Sequence, residues 1–136
     1  MRTLALLLAL ALLSPGCAVA AGEEAAPYKA EVGADGVQRV EVRAGSYYFE
    51  PAHIVVKVGV PVELIVSKEP GLFHDMAMDA PEAGMDFRRE LDKDRPVVIR
   101  FTPGKTGKYE FYCGKRFLFF KSHRARGMEG VLEVVE

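Results

Sequence analysis

The chain has 136 residues, with 18 Lys plus Arg against 19 Asp plus Glu, 49% hydrophobic residues and no Trp. This length is typical of one globular domain. The balanced charge excludes a disordered acidic tail and a general nucleic-acid binder, which would carry a strong basic excess. We therefore expect a small soluble module.

The first twenty residues, 1–20, are predicted to be an export signal. A positively charged start precedes an apolar run over 4–13 that is too short to span a bilayer, and Ala18-Val19-Ala20 supplies the small residues of a signal-peptidase site. Ala21 is then the first mature residue, which indicates a periplasmic or otherwise exported protein. The alternative is a lipid anchor on Cys17, although the residues before it depart from a lipobox. No later segment is predicted to span a membrane.

The mature chain begins with a segment, 21–36, that is rich in Ala, Gly and Glu. This composition fits a loose leader. It equally fits a hairpin in which 28–32 pairs with 37–42 across Gly-Ala-Asp-Gly. The sequence leaves both alternatives open.

From 37 to 136 the apolar residues follow the period of a β-strand, not that of an α-helix. Seven strands are predicted, each closed by Gly, Pro or charged residues: 40–43, 53–58, 62–66, 74–78, 97–101, 108–113 and 131–135. About seven to eight short strands with regular turns indicate an all-β fold, a Greek-key β-sandwich over 37–136. Residues 80–94 are predicted to form a helical turn or a loop.

Few side chains of this domain are suited to metal or redox chemistry. Once the signal is removed, Cys113 is a lone thiol in an oxidising compartment, where it pairs, oxidises, binds a metal or is simply a buried apolar group. The alternation along its strand points this thiol inward at the strand end. The loop that follows holds His123 and Met128, and His74 begins a strand from which it can reach the same end of the sandwich.

One thiolate, two imidazoles and one thioether form a donor set that favours copper. Thiolate and thioether are soft ligands that suit Cu(I), imidazole suits Cu(II), and a rigid sandwich can hold a geometry between the preferences of the two. Structural zinc sites prefer four strong ligands and do not use Met. A Cys-His protease needs an orienting third group and an oxyanion hole, for which the sequence offers no candidate. We therefore expect one copper ion.

Several stretches resemble the cupredoxins, the small blue-copper proteins. The resemblance covers roughly 37–136 and is carried by Phe49-Glu50-Pro51-Ala52-His53-Ile54-Val55-Val56, Gly59-Val60-Pro61-Val62, His74-Asp75, and Tyr112-Cys113 followed by His123 and Met128. It implies that His74 and His123 are the imidazole ligands, Cys113 the thiolate and Met128 the axial thioether.

Two spacings qualify the resemblance. The gap from His123 to Met128 is similar to that of plastocyanin-like members. Nine residues separate Cys113 from His123, more than small electron carriers commonly have, although copper nitrite reductases have a comparably long stretch. The lone cysteine argues against the binuclear copper centre of oxidase subunits, whose loop carries two.

The resemblance implies a single-electron carrier, not an enzyme, with His123 as the electron exit nearest the surface. The predicted signal makes this carrier an exported protein. The alternative function is a copper chaperone or storage protein that delivers Cu(I), supported by the soft row His74-Asp75-Met76-Ala77-Met78. A third interpretation is a copper-free sandwich that only binds other proteins.

Other candidate side chains have structural explanations. His53 lies on the alternate register from Ile54 and is predicted to be on the surface. Met76 and Met78 are predicted to pack in the core. The run Phe117–Phe120 is interpreted either as filling the end of the sandwich as a helical turn or as a contact for a partner.

The loop 114–127 concentrates positive charge. It contains no acid and five basic residues, Lys115, Arg116, Lys121, Arg124 and Arg126, in a chain of formal net charge −1. Because one sign is gathered beside His123, we predict a redox partner protein with an acidic patch. The alternative is a basic loop that only keeps this end of the molecule soluble.

Overall fold

A computed structural model describes residues 25–136, which form two β-sheets packed face to face. The strands are β1 (Tyr28–Lys29), β2 (Gln38–Gly45), β3 (Tyr48–Glu50), β4 (His53–Lys57), β5 (Val62–Lys68), β6 (Asp75–Ala80), β7 (Met85–Glu90), β8 (Val97–Phe101), β9 (Gly107–Tyr112) and β10 (Glu129–Val135). The predicted export signal and the Cys17 anchor lie outside the described residues. Within 25–136, no helix has the length and apolar character needed to cross a membrane.

The larger sheet has the strand order β1-β4-β10-β9-β6-β7 and the smaller one β3-β2-β5-β8. The pairs β4 with β10 and β2 with β5 are parallel, which requires the chain to cross between sheets. The predicted all-β Greek-key sandwich is confirmed, with ten strands in the described residues where about seven to eight were expected.

Alternating apolar residues of the two sheets form the core. Val40 and Val42 of β2 and Leu64 of β5 are buried on the inner face of the smaller sheet, opposite Ile54 and Leu132 of the larger one. Burying each such side chain contributes roughly 1.5–3 kcal/mol. These strands therefore supply the buried apolar core that supports the ends of the sandwich.

The segment 80–94 differs in part from its prediction. It contains the expected single helical turn, a 3-10 turn over Pro81–Ala83, but it also contains strand β7, which was missed. β7 pairs with β6 along its whole length, from Asp75 opposite Glu90 to Ala80 opposite Met85. Its polar second half does not show a buried face because β7 is an edge strand.

The residues before β2 join the sheet at its edge. Tyr28 and Lys29 pair in parallel with β4, and one antiparallel bridge joins Val32 to Gln38 across a tight turn. Tyr28 and Lys29 are therefore an edge strand of the larger sheet, and Val32 has one bridge to β2 of the smaller sheet.

Candidate metal centre

Two neighbouring strands bring His74 and Cys113 to the same end of the sandwich. β9 pairs antiparallel with β6, with Tyr112 opposite Ala77, so the end of β9 lies beside the start of β6. His74 directly precedes β6 and Cys113 directly follows β9. Both side chains are buried. The register of these two strands therefore places the imidazole and the thiol together.

His123 is delivered by the loop between β9 and β10, which is closed by backbone hydrogen bonds. The His123 N–H donates to the Lys115 carbonyl (2.8 Å), and the Met128 N–H donates to the His123 carbonyl (3.0 Å). A 3-10 turn follows His123, and Gly127 ends it with φ 99°, a left-handed conformation that favours glycine. The loop is thus fixed at both ends despite its length.

The three donor atoms converge on one point. Sγ of Cys113 lies 3.5 Å from Nδ1 of His123 and 3.9 Å from Nδ1 of His74, and the two Nδ1 atoms are 3.1 Å apart. A point in the plane of this triangle lies about 2 Å from all three atoms. Bonds from imidazole and thiolate to zinc have nearly this length, ~2.0–2.3 Å. The residues therefore fit a trigonally bound transition-metal ion, and this donor set is the one that copper electron-transfer sites use.

Met128, the fourth predicted ligand, is hydrogen-bonded through its backbone to two of the other three, Cys113 and His123. Its side chain is fully buried, and its carbonyl accepts a hydrogen bond from the Cys113 N–H (3.0 Å). The hydrogen bond between Met128 and His123 completes the connection. The backbone hydrogen bonds that close the loop therefore place the buried Met128 thioether in the same part of the chain as the Cys113 thiol and the His123 imidazole.

Burial sets the protonation of the copper-free centre. It lowers the pKa of His74 to about 4, with further lowering by the neighbouring His123 and by Lys68. Burial also lowers the pKa of His123, and it raises the pKa of the Cys113 thiol. At neutral pH the centre therefore holds two neutral imidazoles and a protonated thiol, so a bound metal must displace the thiol proton.

The copper-free protein is expected to lose stability as the pH falls from about 6.5 towards 4. In this window the unfolded chain takes up a proton on His74, whose ordinary pKa is 6.5, whereas the folded chain, with a pKa of about 4, does not. The free energy of unfolding should fall by on the order of 2 kcal/mol at pH 4.5. Urea unfolding across this range, compared with His74→Asn, measures the effect. An unchanged pH slope in the variant would exclude His74 as its source.

The sequence reasoning missed the residues that surround the three donors. Asp75 accepts a hydrogen bond from the Gly114 N–H (2.6 Å), and it accepts another from Nη1 of Arg88 on β7 (3.0 Å), with which it forms an ion pair. Oγ of Ser46 lies 3.5 Å from Nε2 of His74. The alternation of Met85 and Phe87 is the signal that would have identified β7 and with it Arg88.

The remaining histidine and the methionines of β6 lie outside the cluster. His53 is half-buried on the sheet surface, where its Nε2 lies 2.8 Å from a Glu133 oxygen. Met76 and Met78 are fully buried in the core, which confirms their prediction as packing residues. The soft row on β6 is therefore not exposed to solvent.

An apolar surface borders the centre on its outer side. Rings of Tyr47 and His123 meet edge to face at 5.0 Å, and both line one groove with Leu72, Phe117 and Phe120. The run Phe117–Phe120 forms a turn whose side chains are exposed, up to 87% for Phe119. The interpretation that this run fills the end of the sandwich is therefore wrong.

The chain matches a family model for a cupredoxin-like domain over residues 3–128. A search of curated proteins found no match. Among solved structures, the chain is similar to the metal binding domain of CopA, the Cu(I) exporting P-type ATPase of Streptococcus pneumoniae, determined with Cu(I). The identity is 25% and the TM-score 0.64, over 82% of this chain and 97% of that one.

Two further structures share the architecture. Oxidised plastocyanin from Dryopteris crassirhizoma is 26% identical with a TM-score of 0.50, over 71% of this chain and 100% of that one. Reduced auracyanin from Roseiflexus castenholzii is 19% identical with a TM-score of 0.53, over 72% and 97%, a likeness of fold alone. Since the family model spans most of the sequence and the two-sheet fold is shared, this chain belongs to the cupredoxin-like family.

Proposed function

We propose that the protein is an exported single-electron carrier, not an enzyme, that holds one copper ion. In this proposal His74, His123 and Cys113 would be the three strong ligands, and Met128 would add a weaker thioether ligand. The observation that carries the proposal is the buried triangle of one Sγ and two Nδ1 atoms, whose corners lie about 2 Å from a common point. Copper, when bound, would supply the exchange of one electron between Cu(I) and Cu(II).

The surrounding chain is suited to keep these side chains in place during that exchange. His74 and Cys113 adjoin paired strands, and His123 is tied to Lys115 and Met128 by backbone hydrogen bonds. Interiors of this kind are close-packed and resist rearrangement. Fixed ligands suit electron transfer because little has to move when the oxidation state changes.

His123 is the proposed exit for electrons. The solvent-exposed fraction of His123 is 6%, whereas that of His74 is 1% and that of Cys113 is 0%. Its ring also contacts Tyr47 and adjoins the exposed apolar run Phe117–Phe120. A partner that covers this surface would come closest to copper through the His123 imidazole.

A copper titration followed by a redox cycle tests this function. The mature protein should bind one Cu(II) and show an intense visible band from thiolate-to-copper charge transfer. Ascorbate should bleach the band and ferricyanide should restore it without loss of metal. A protein that binds only Cu(I), stays colourless and releases copper to a competing chelator would instead be a carrier of copper.

That second candidate function, delivery or storage of Cu(I), is favoured by the similarity to the CopA domain, whose structure was determined with Cu(I). Its sequence support is weaker than expected, because Met76 and Met78 are buried in the core and offer no exposed soft ligands. The redox cycle separates the two functions.

The proposed partner is a redox protein with an acidic patch, which docks on the loop 114–127. Two of the five cations of this loop are already paired, Lys115 with Glu90 and Arg124 with Glu110 and Glu129. The others, Arg116, Lys121 and Arg126, form no ion pair among the residues that the structure describes. These three are available to steer an acidic surface towards His123.

The proposed location is the periplasm or another exported compartment. It rests on the signal features of residues 1–20, with a cut after Ala20. Mass spectrometry of the protein purified from its native cells should find Ala21 at the N-terminus, whereas a lipid on Cys17 would show the alternative processing.

Replacing Met128 with Ala should keep copper bound but change the reduction potential. The axial thioether is a weak ligand that tunes the potential, while the three strong ligands supply most of the affinity. We expect a smaller loss of copper affinity than removal of any of the three strong ligands would cause. Voltammetry and a competition titration measure the two quantities. An unchanged potential would show that Met128 is a packing residue and not a ligand.

A further inference from the structure

Resting on the proposed copper centre, we infer that Arg88 is a positioning residue that acts through Asp75. The Arg88 guanidinium fixes a buried carboxylate, and this carboxylate ties the residue after His74 to the residue after Cys113. This arrangement would keep His74 and Cys113 at a fixed distance from each other. The Arg88 guanidinium would also neutralise the negative charge of Asp75 beside the metal.

Asp75 connects the two ligand strands directly. It follows His74 in the sequence, and its side chain is 4% exposed. One carboxylate oxygen accepts the Gly114 N–H at 2.6 Å and the other accepts Arg88 Nη1 at 3.0 Å. Because Gly114 follows Cys113, a rotation of this carboxylate would remove one of the hydrogen bonds that hold the backbone at the thiol, the other being that of the Cys113 N–H to Met128.

Arg88 lies on β7, which neighbours β6 in the larger sheet, and its side chain extends from there to Asp75. The sheet register places Arg88 of β7 opposite Ala77 of β6, and Ala77 opposite Tyr112 of β9. Side chains in such a row share one face of the sheet. Ala77 is small and fully buried, and the Arg88 guanidinium extends far enough to place Nη2 3.3 Å from the Tyr112 hydroxyl. Arg88 thus joins all three strands.

Gly114 lies so close to Arg88 that a side chain at this position would meet the guanidinium. A Cβ atom built on Gly114 would lie 2.1 Å from Arg88 Nη1, a distance that non-bonded atoms do not reach. The φ of Gly114 is not in the left-handed region, so the backbone conformation does not demand glycine here. A side chain at this position would therefore require the flexible Arg88 guanidinium to move away from Asp75.

The burial of Asp75 separates this ion pair from an ordinary surface pair. Exposed pairs contribute little because water solvates both charges equally well when they part. Here the carboxylate is buried, so loss of Arg88 would leave a buried charge with one backbone hydrogen bond. Such a charge would favour Cu(II) over Cu(I) and would loosen the hold on Gly114.

Arg88→Gln in the full mature chain tests the inference. We expect copper to remain bound, the reduction potential to fall, and Cu(I) to dissociate at least about fivefold faster. In the copper-free protein, amide exchange at Gly114 should become about tenfold faster, as measured by NMR. This last readout does not depend on copper.

Two variants provide the comparison. Arg89→Gln removes the same charge from the next residue, which points to the other face of β7 and donates only to the Arg88 carbonyl. It should leave the potential and the Gly114 exchange unchanged. Gly114→Ala keeps every charge but displaces the Arg88 guanidinium. We expect it to make Cu(I) dissociate faster than in wild type, as Arg88→Gln does. If Arg88→Gln alters the fold, Gly114→Ala decides.

The outcomes separate the two proposals. If the wild-type protein takes up no copper, the proposed function fails. If wild type binds copper and Arg88→Gln leaves potential, dissociation and Gly114 exchange unchanged, the inference about Arg88 is overturned while the copper centre stands. Equal potential shifts in Arg88→Gln and Arg89→Gln would likewise overturn it, since only a general charge effect would then be present.

Discussion

Cys113→Ser is expected to abolish the visible band of the copper-loaded protein and to weaken Cu(I) binding by roughly a hundredfold or more. The thiol is one corner of the donor triangle and lies 3.5 Å and 3.9 Å from the two Nδ1 atoms. Serine is nearly the same size but provides a hard oxygen, which neither forms the charge-transfer band nor suits Cu(I). Visible absorption and competition with a Cu(I) chelator measure both losses.

His53→Ala is the matched control for this substitution. His53 is a histidine of the same domain, but it pairs with Glu133 on the sheet surface and is not part of the triangle. The variant should keep the wild-type spectrum and affinity. A Cys113→Ser protein with the wild-type spectrum, or a His53→Ala protein without one, would contradict the proposed ligand set.

Reversing Arg116 and Lys121 to Glu should slow electron transfer to an acidic partner by about tenfold or more at low salt, while the copper spectrum stays intact. These two residues flank the exposed run Phe117–Phe120 and form no ion pair among the described residues. Arg124 is unsuitable for this test, because it pairs with Glu110 and Glu129 and its reversal would disturb both contacts.

The control reverses Lys57, the last residue of β4, and Lys105, which lies just before β9. Both are at the opposite end of the sandwich from Cys113. The same charge change there should have a smaller effect on the rate. Stopped-flow rates at increasing salt complete the test, since screening shortens to ~8 Å at physiological ionic strength. A rate that depends neither on salt nor on the reversal at 116 and 121 would contradict acidic docking and leave the copper centre untouched.

The strands with a buried face could be predicted from the sequence because alternation records burial. β2 and β5 show it through Val40, Val42 and Leu64. The edge strand β7 carries this signal only in its first half, where Met85 and Phe87 alternate, because Arg88, Arg89 and Glu90 are typical of a solvated loop. Its conformation is set by pairing with β6, which is a tertiary effect.

The chemical content of the site was more predictable than its surroundings. The residue types and their order along the chain identified His74, Cys113 and His123 as candidates, and the structure brings these three together. The contact of Arg88 with Asp75 depends on the register of three strands, which no local pattern records. The pairing of two loop cations could not be predicted for the same reason, since the acids that contact Lys115 and Arg124 lie on β7, β9 and β10.

The central claim is that His74, Cys113 and His123 bind one copper ion together, and X-ray absorption of the copper-loaded mature protein tests it most directly. The account predicts one short sulfur ligand and two imidazole nitrogens in both oxidation states, with the sulfur lost in Cys113→Ser. A copper environment of nitrogen and oxygen alone in the wild-type protein would contradict it.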